Sequence, residues 1–320
     1  MTRQEQIAKA AAVAVEQCLA VEAGETVLIV CDEPCRDVGY ALWRAAADVG
    51  AEVQIIEMLP REENGAEPPA SVAAAMRVAD VVFAPASKSL THTDARRAAS
   101  AAGARIATLP GITEEIMSRA LMADHEEIAR LTGRIAAWLR GRERVRITSP
   151  AGTDVSFSIA GREVHEDVGL VREPGEVTNL PAGEAYVAPV EGTAQGIVAF
   201  DGSIAESGVL DEPIIVRIVD GNATEISGAP YAPELAAAMD RVGPEARNVA
   251  ELGIGTNPAA KLSGSTLEDE KILGTVHIAF GDNQSMGGAV SAPYHQDGIL
   301  LKPTVLVDDE LLMKDGELIL

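Results

Sequence analysis

The chain has 320 residues, which is longer than one ordinary hydrophobic core and favours two domains. Its formal net charge of −23 repels phosphate backbones and anionic lipid, which argues against nucleic acid and membrane partners. Three cysteines are too few for a disulfide framework, and neither a signal peptide nor an apolar run long enough to span a membrane is evident. We therefore expect a cytoplasmic protein.

Helical and strand patterns alternate through the first 110 residues. The predicted helices cover 3–22, 35–50, 68–79 and 91–103, and the predicted strands cover 26–32, 51–58, 80–87 and 104–111. Repeated strand and helix units of this kind form a parallel sheet with helices on both faces. The pattern predicts a Rossmann-like α/β domain over residues 1–141.

Sequence motifs for nucleotide binding are missing from this α/β region. No glycine-rich dinucleotide motif follows the first predicted strand, and no P-loop motif occurs anywhere in the chain. The loop after that strand, CDEPCRD, is acidic and makes a poor cradle for phosphate. A nucleotide cofactor is therefore disfavoured.

The pattern changes after a mostly helical stretch over 112–147. The segment RVRITSPAGTDVSFSIAGREV (144–164) alternates with period two around a turn, which indicates a β-hairpin. Similar alternation continues to the end of the chain, and only 229–243 is clearly helical. We place the domain boundary near Gly141 and predict that residues 142–320 form a largely antiparallel β domain that carries a metal site.

Three of the five histidines have ordinary explanations. His92 opens a predicted helix, where it has a structural role near the helix cap. His125 lies among charged residues of a predicted helix and is expected at the surface. His165, in the polar segment REVHED, is expected to be solvated.

The other two histidines lie in settings that suit a metal. His277 interrupts the apolar strand GTVHIAFG, and His295 lies two residues before Asp297 in YHQDG. Residues two apart on an extended strand project to the same side, and one hairpin would bring His277 beside them. Two histidines and a carboxylate make a credible site for Zn, Co, Mn or Fe(II).

Two glutamates stand in unusually apolar surroundings. Glu184 lies in NLPAGEAYVAP and Glu251 in RNVAELGIGTNP. A buried glutamate is costly unless it is paired or bound to a metal. Together with the two histidines and the aspartate they complete a set of two imidazoles and three carboxylates, which suits a two-metal hydrolase site with a bridging carboxylate.

Four motifs in this order resemble those of the aminopeptidase T/aminopeptidase S family of metallopeptidases: NLPAGEAYVAP, NVAELGIGTNP, LEDEKILGTVHIAFG and YHQDG. The segment LTHTDARRAASAAGARIATLPGIT in the first half is also similar to that family. The resemblance implies an α/β domain followed by a β domain with the site, and a homodimer. It also implies one or two divalent ions, Zn or Co, bound by Glu184, Glu251, His277, His295 and Asp297.

The resemblance implies a metal-dependent, aminopeptidase-like hydrolase that acts on a small molecule or short peptide near a free amino terminus. A metal-activated water would attack the amide carbonyl, with Glu251 taking the proton. Members of the family carry a tyrosine seven residues after the strand histidine, where this chain has Gln284. A glutamine can donate a hydrogen bond to an oxyanion but cannot act as an acid.

A second hypothesis places the chain in a different enzyme class. Some proteins that resemble this family are mononuclear Fe(II) dioxygenases that cleave the ring of dihydroxypyridines. His277, His295 and Asp297 would then form a facial triad around iron. Glu184 and Glu251 would lie behind the ligands or carry protons.

A third hypothesis is a non-catalytic α/β protein that binds a small ligand and keeps a metal for structure. Structural metal sites are usually closed and rich in cysteine or histidine. The concentration of carboxylates in glycine-containing motifs makes this the least favoured of the three.

Overall fold

The structure, a computed structural model, describes residues 1–204 and 207–320. Its α-helices are α1 (Arg3–Ala12), α2 (Arg36–Asp48), α3 (Ala70–Met76), α4 (Asp94–Ala101), α5 (Glu114–Ala120), α6 (His125–Leu139), α7 (Ala232–Val242) and α8 (Thr266–Asp269). A π-helical segment, Val13–Cys18, continues α1, and short 3-10 turns cover Glu33–Cys35, Pro244–Arg247 and Gln284–Met286.

The strands of the described residues are β1 (Thr26–Asp32), β2 (Glu52–Met58), β3 (Val81–Ala84), β4 (Arg105–Thr108), β5 (Arg144–Thr148), β6 (Asp154–Ser158), β7 (Val164–Asp167), β8 (Val177–Asn179), β9 (Glu184–Val187), β10 (Gln195–Phe200), β11 (Ser203–Ile204), β12 (Gly208–Val209), β13 (Ile214–Val219), β14 (Asn222–Gly228), β15 (Val249–Gly255), β16 (Val276–Gly281), β17 (His295–Leu300), β18 (Thr304–Val307), β19 (Glu310–Lys314) and β20 (Glu317–Leu318).

The chain forms two compact units, each built from more than one segment. The first contains Met1–Ala129, Asp167–Ala182 and Pro258–Ala260, and the second contains the remainder. Residues of the second half join the first unit because β8 pairs in parallel with β4. The single domain boundary near residue 141 stays a prediction.

The first unit holds the parallel α/β sheet that the sequence predicts. Its strand order is β2-β1-β3-β4-β8, and the four pairings are all parallel. An apolar cluster joins α3 and α4 to one face, where Leu28 and Val30 of β1 point. On the other face, Gly39 of α2 lies against Cys31, since a Cβ at Gly39 would stand 3.1 Å from the Cys31 sulfur. Helices on both faces explain why β1 is a continuous buried run.

The stretch 112–147 is mostly helical, as predicted, and its last residues lie in the hairpin predicted over 144–164. The chain breaks the helical part into α5 and α6, and residues 144–148 form the strand β5. Asp124 explains the break, because its Oδ1 accepts hydrogen bonds from the backbone N–H groups of Glu126 (3.0 Å) and Glu127 (3.1 Å). A side chain that caps these free donors starts a new helix.

The second unit is the largely antiparallel β structure predicted for the second half. One sheet has the order β14-β13-β10-β6-β5-β18-β19-β20 and the other β12-β11-β17-β16-β15-β9-β7. A shared apolar cluster includes Val155 and Val198 from the first sheet and Leu252, Ile254 and Ile278 from the second. The two sheets therefore pack face to face, and alternate residues of β15 and β16 project away from this core.

The α/β plus β fold class expected from the sequence is confirmed. None of the helices within the described residues combines the length and the apolar character that a membrane-spanning helix requires.

Candidate metal centre

The candidate ligands lie on four neighbouring strands of one sheet in the second unit. Glu184 begins β9, Glu251 lies in β15, His277 in β16, and His295 and Asp297 in β17. These strands are consecutive in the sheet. The hairpin that the sequence suggested between His277 and the His295–Asp297 pair is therefore present.

Strand register places these side chains on a single face. Ala279 of β16 lies opposite both Glu251 and Asp297, and Gly253 of β15 lies opposite His277. Directly opposed residues of antiparallel strands project to the same side. The face that points away from the apolar core therefore carries the polar cluster, with alanine and glycine between the charged side chains.

Gly253 makes room for the imidazole of His277. A Cβ atom at this position would stand 1.9 Å from the His277 Nε2 atom, far closer than any real contact. The strand therefore needs a residue without a side chain here, and the ring lies directly over the bare backbone. Gly253 is therefore part of the site, because it provides the space that the His277 ring occupies.

Glu251 lies between the two imidazoles. Its Oε1 atom is 3.5 Å from the His277 Nε2 atom, and its Oε2 atom is 3.1 Å from the His295 Nε2 atom. Glu184 Oε2 approaches His277 Nε2 at 3.3 Å, and Asp297 Oδ1 lies 3.7 Å from His295 Nε2. The two ring nitrogens thus face a common group of carboxylate oxygens.

The imidazole of His295 is oriented from behind. Its Nδ1 atom lies 2.9 Å from the backbone carbonyl oxygen of Asp282, so Nδ1 is the protonated nitrogen that donates to this carbonyl. The Nε2 atom is then left to face Glu251 and Asp297. A backbone acceptor behind the ring is the usual way in which a metal-binding histidine is held.

Charge within the cluster moves several pKa values. Burial alone would raise the pKa of the Glu251 carboxyl, but hydrogen bonds with His277 and His295 hold it well below its usual range. Burial alone would lower the pKa of His277, but the Glu251 hydrogen bond and the Glu184 charge raise it to about 9. Burial raises the pKa of Glu184 to about 8, against the opposing charge of Lys271. The cluster thus retains protons on its imidazoles when no metal is bound.

Two members of the site, Glu270 and Lys271, were not predicted from the sequence. Lys271 is fully buried, and its Nζ atom lies 2.5 Å from Glu184 Oε1 and 2.8 Å from Glu270 Oε1. Charged residues in the run LEDEK look like a solvated turn in a hydropathy pattern, and a lysine is seldom fully buried. The only available signal was the position of this run immediately before the histidine strand.

The donor atoms fit a divalent metal ion. Within the described residues, three overlapping groups each bring three possible ligand atoms within 4.8 Å of one another: Glu184 with Glu251 and His277, Glu251 with His295 and Asp297, and Glu270 with His277 and Asp297. The Oε2 atom of Glu184 is buried and has no hydrogen-bond partner. A buried carboxylate oxygen without a donor, beside imidazole nitrogens, suits a cation.

Gln284, predicted to donate to an oxyanion, lies outside this face. It is an exposed residue that begins the 3-10 turn between β16 and β17. Its proposed catalytic role stays a prediction.

The remaining histidines belong to none of the three ligand groups found among the described residues, and two of them differ from expectation. His125 is buried rather than exposed, because its ring packs in the first unit with Nδ1 3.3 Å from the Val168 carbonyl oxygen. His165 is half-buried rather than solvated, stacked on Tyr186 with ring centroids 5.1 Å apart. His92 is exposed just before α4, whose N-cap is Thr93.

Comparisons with known proteins agree on a family and a fold. A model of the family described as 2,5-dihydroxypyridine 5,6-dioxygenase matches residues 6–320. A protein named 2,5-dihydroxypyridine 5,6-dioxygenase from Pseudomonas putida strain KT2440 is 25% identical over 194 residues, which are 57% of this chain and 55% of that protein. The aligned region thus spans about half the length of that relative.

Two solved structures resemble the chain over almost its whole length. The 2,5-dihydroxypyridine dioxygenase of Pseudomonas putida KT2440 has a TM-score of 0.85 at 20% identity, and covers 99% of this chain and 97% of its own. Wild-type AmpT from Thermus thermophilus has a TM-score of 0.75 at 19% identity, with 100% of both chains covered. At such identities the similarity shows a common fold.

These matches correct the principal functional prediction. The family model and the Pseudomonas putida relative both carry dioxygenase descriptions, so the prediction of a hydrolase of the aminopeptidase or protease type is wrong. The chain shares its fold with AmpT, and it resembles the aminopeptidase family in its motifs. The dioxygenase descriptions favour the second hypothesis of the sequence analysis.

Proposed function

The chain belongs to the family described as 2,5-dihydroxypyridine 5,6-dioxygenase, and from this membership we propose that it is an Fe(II)-dependent dioxygenase that cleaves the ring of a dihydroxypyridine. The observation that supports this most directly is the pair of adjacent strands β16 and β17, which present two imidazoles and a carboxylate on one face. Two histidines and one carboxylate are the usual ligands of non-haem Fe(II) in oxygenases.

We propose His277, His295 and Asp297 as the iron ligands. His295 and Asp297 come from one strand, and His277 from the strand beside it. A ferrous ion held there would supply the one-electron chemistry with O2 that ring cleavage requires. The backbone carbonyl behind His295 Nδ1 keeps the Nε2 lone pair directed at the ion's position.

Two glutamates then have different tasks. Glu251 has a pKa well below its usual range, so it stays ionised and is poorly suited to carry protons. Its carboxylate lies between the two imidazoles and orients both of them. Glu184 has a pKa raised to about 8 by burial, which lies close to neutral pH, where a proton carrier works best. We therefore propose that Glu184 Oε2 exchanges the proton of the substrate's hydroxyl group.

Dioxygenase chemistry of the family's type is balanced without a further reductant. The C5–C6 bond of the ring breaks and both atoms of O2 enter the product, so substrate and O2 are consumed in equal amounts. No other protein partner is required, and the substrate is a small planar molecule.

The test is oxygen uptake by purified protein that has been reconstituted anaerobically with Fe(II). Addition of 2,5-dihydroxypyridine is expected to consume one O2 per ring, with loss of the ring's ultraviolet absorbance. 2-Hydroxypyridine, which lacks the second hydroxyl group, serves as the control and is expected to consume none. Folded, iron-loaded protein that takes up no O2 with any dihydroxypyridine isomer would refute the proposal.

A further inference from the structure

Lys271 is a buried cation placed inside an acidic cluster. Its ammonium group contacts one oxygen of Glu184 and one of Glu270, and the side chain is almost completely enclosed at 1% exposure. A buried ammonium group of this kind is stable only when carboxylates neutralise it. Neither of the two carboxylates that it contacts is among the proposed iron ligands.

Without this lysine, the cluster would suit two ions. Glu184, Glu251 and His277 bring three ligand atoms together on one side, and Glu251 also belongs to the group with His295 and Asp297. A carboxylate shared between two such groups is the arrangement that bridges paired metal ions. The number of donor atoms therefore exceeds what one ion needs.

The ammonium group contacts one carboxylate in each of two metal-capable groups, both of which contain His277. Glu184 belongs to one of these groups and Glu270 to the other, and each gives its Oε1 atom to Lys271. A positive charge there partly neutralises both carboxylates and repels a second divalent ion at short range in a poorly solvated site. The group of Glu251, His295 and Asp297 contains neither of the two carboxylates that Lys271 contacts.

We propose that Lys271 acts as a resident cation in place of a second metal, so that this site holds a single divalent ion. The inference rests on the proposed function, in which one iron is bound by His277, His295 and Asp297. Lys271 thereby determines how many metal ions the site binds. Glu184 and Glu270 are its counter-ions, so these two carboxylates pair with the ammonium group instead of with a second metal ion.

The test counts bound ions in metal-free protein titrated with Co²⁺, by visible absorption and by elemental analysis after gel filtration. The wild-type protein is expected to bind one ion and Lys271→Met two. Lys271→Arg, which keeps the charge, is expected to bind one. Lys314→Met, at an exposed position of β19, is the matched control for loss of a positive charge and is expected to bind one.

Two results would overturn the inference: two tightly bound ions in the wild-type protein, or a single ion in Lys271→Met that keeps the wild-type circular dichroism spectrum. Should Lys271→Met fail to fold, Glu184→Gln decides instead. This variant is expected to keep one ion, because Glu184 pairs with Lys271 and not with the metal. Loss of the ion would show that Glu184 is a metal ligand. The counts need no substrate, so they stand or fall separately from oxygen uptake.

Discussion

One fully buried histidine lies in each compact unit, and the two rings have opposite electrostatic surroundings. His125 in the first unit lies near the Val168 carbonyl oxygen, and burial lowers its pKa. His277 in the second unit lies 3.3 Å from a Glu184 oxygen and 3.5 Å from a Glu251 oxygen, and its pKa rises to about 9. The two rings are equally buried, so it is the neighbouring carboxylates that distinguish the candidate ligand His277 from His125, which is packed in the core.

Buried strands of the two units differ in the same way, in the polarity of the side chains around them. β1 of the parallel sheet is apolar on both faces, with helices on either side. β15 and β16 are as deeply buried, but only alternate residues join the apolar core, and the others are charged or very small. A strand that is buried on both faces while one face is polar indicates a site rather than a core.

The largest expected effect comes from removing a ligand on β17. Asp297→Ala and His295→Ala should each lose bound iron and lower the rate of O2 uptake by at least about 100-fold, since the remaining groups cannot complete the triad. Iron content and oxygen consumption measure this. The matched control is His125→Gln, which removes the other buried imidazole and should keep the iron. If His125→Gln lost iron and Asp297→Ala kept it, the contrast between the two units would fail.

A smaller effect is expected from a methyl group placed beside His277. Gly253→Ala would put its Cβ where the imidazole now lies, so the ring or the strand must move. We expect the free energy of unfolding to fall by about 1–3 kcal/mol and Co²⁺ affinity to fall with it, measured by denaturant titration and by metal titration.

Gly133→Ala in α6 is the control for this change. A Cβ there would meet only Glu166 Oε2 at 3.4 Å, an ordinary contact, and alanine favours a helix over glycine by up to about 1 kcal/mol. This variant should be unchanged or slightly stabilised, with the same metal affinity. Equal losses of stability and metal affinity in both glycine variants would mean that Gly253 is needed for the backbone conformation and not for the position of the imidazole.

Sequence periodicity was sufficient for the fold class and for the strand face that the candidate ligands share. The i, i+2 spacing of His295 and Asp297 and the apolar strand around His277 predicted a shared face and a hairpin, and the strand register confirms both. Glu184 and Glu251 stood out as single charged residues in apolar runs, and the structure buries both. These features depend on local periodicity, which a sequence displays directly.

Features that depend on distant packing were not predictable in this way. Lys271 looks solvated because its partner Glu184 is 87 residues away in the chain. His125 looks exposed because the segment that buries it, around Gly169, comes much later in the sequence. The function was misassigned for a related reason, since one strand framework can present the same donor types for hydrolysis or for oxygen chemistry.

The smallest expected effect is the pH dependence of metal affinity. In metal-free protein at pH 7, His277 is protonated because its pKa is about 9, whereas His125 is neutral because its pKa lies below the usual value of 6.5. A metal binds only the neutral imidazole, so uptake at pH 7 must expel the His277 proton. Affinity for Co²⁺ should therefore rise with pH, by about tenfold per unit for each proton released, and the contribution of the His277 proton should be complete above pH 9.

Calorimetric titrations in buffers of different ionisation enthalpy count the protons released on metal binding. We expect net release at pH 7 and none from His277 at pH 10, where the ring is already neutral. His125→Gln should release the same number of protons as the wild-type protein, because its ring carries no proton to lose at pH 7. A Co²⁺ affinity that stays constant between pH 6 and pH 9 would show that the carboxylates around His277 do not hold its proton, and the electrostatic difference between the two buried rings would then be lost.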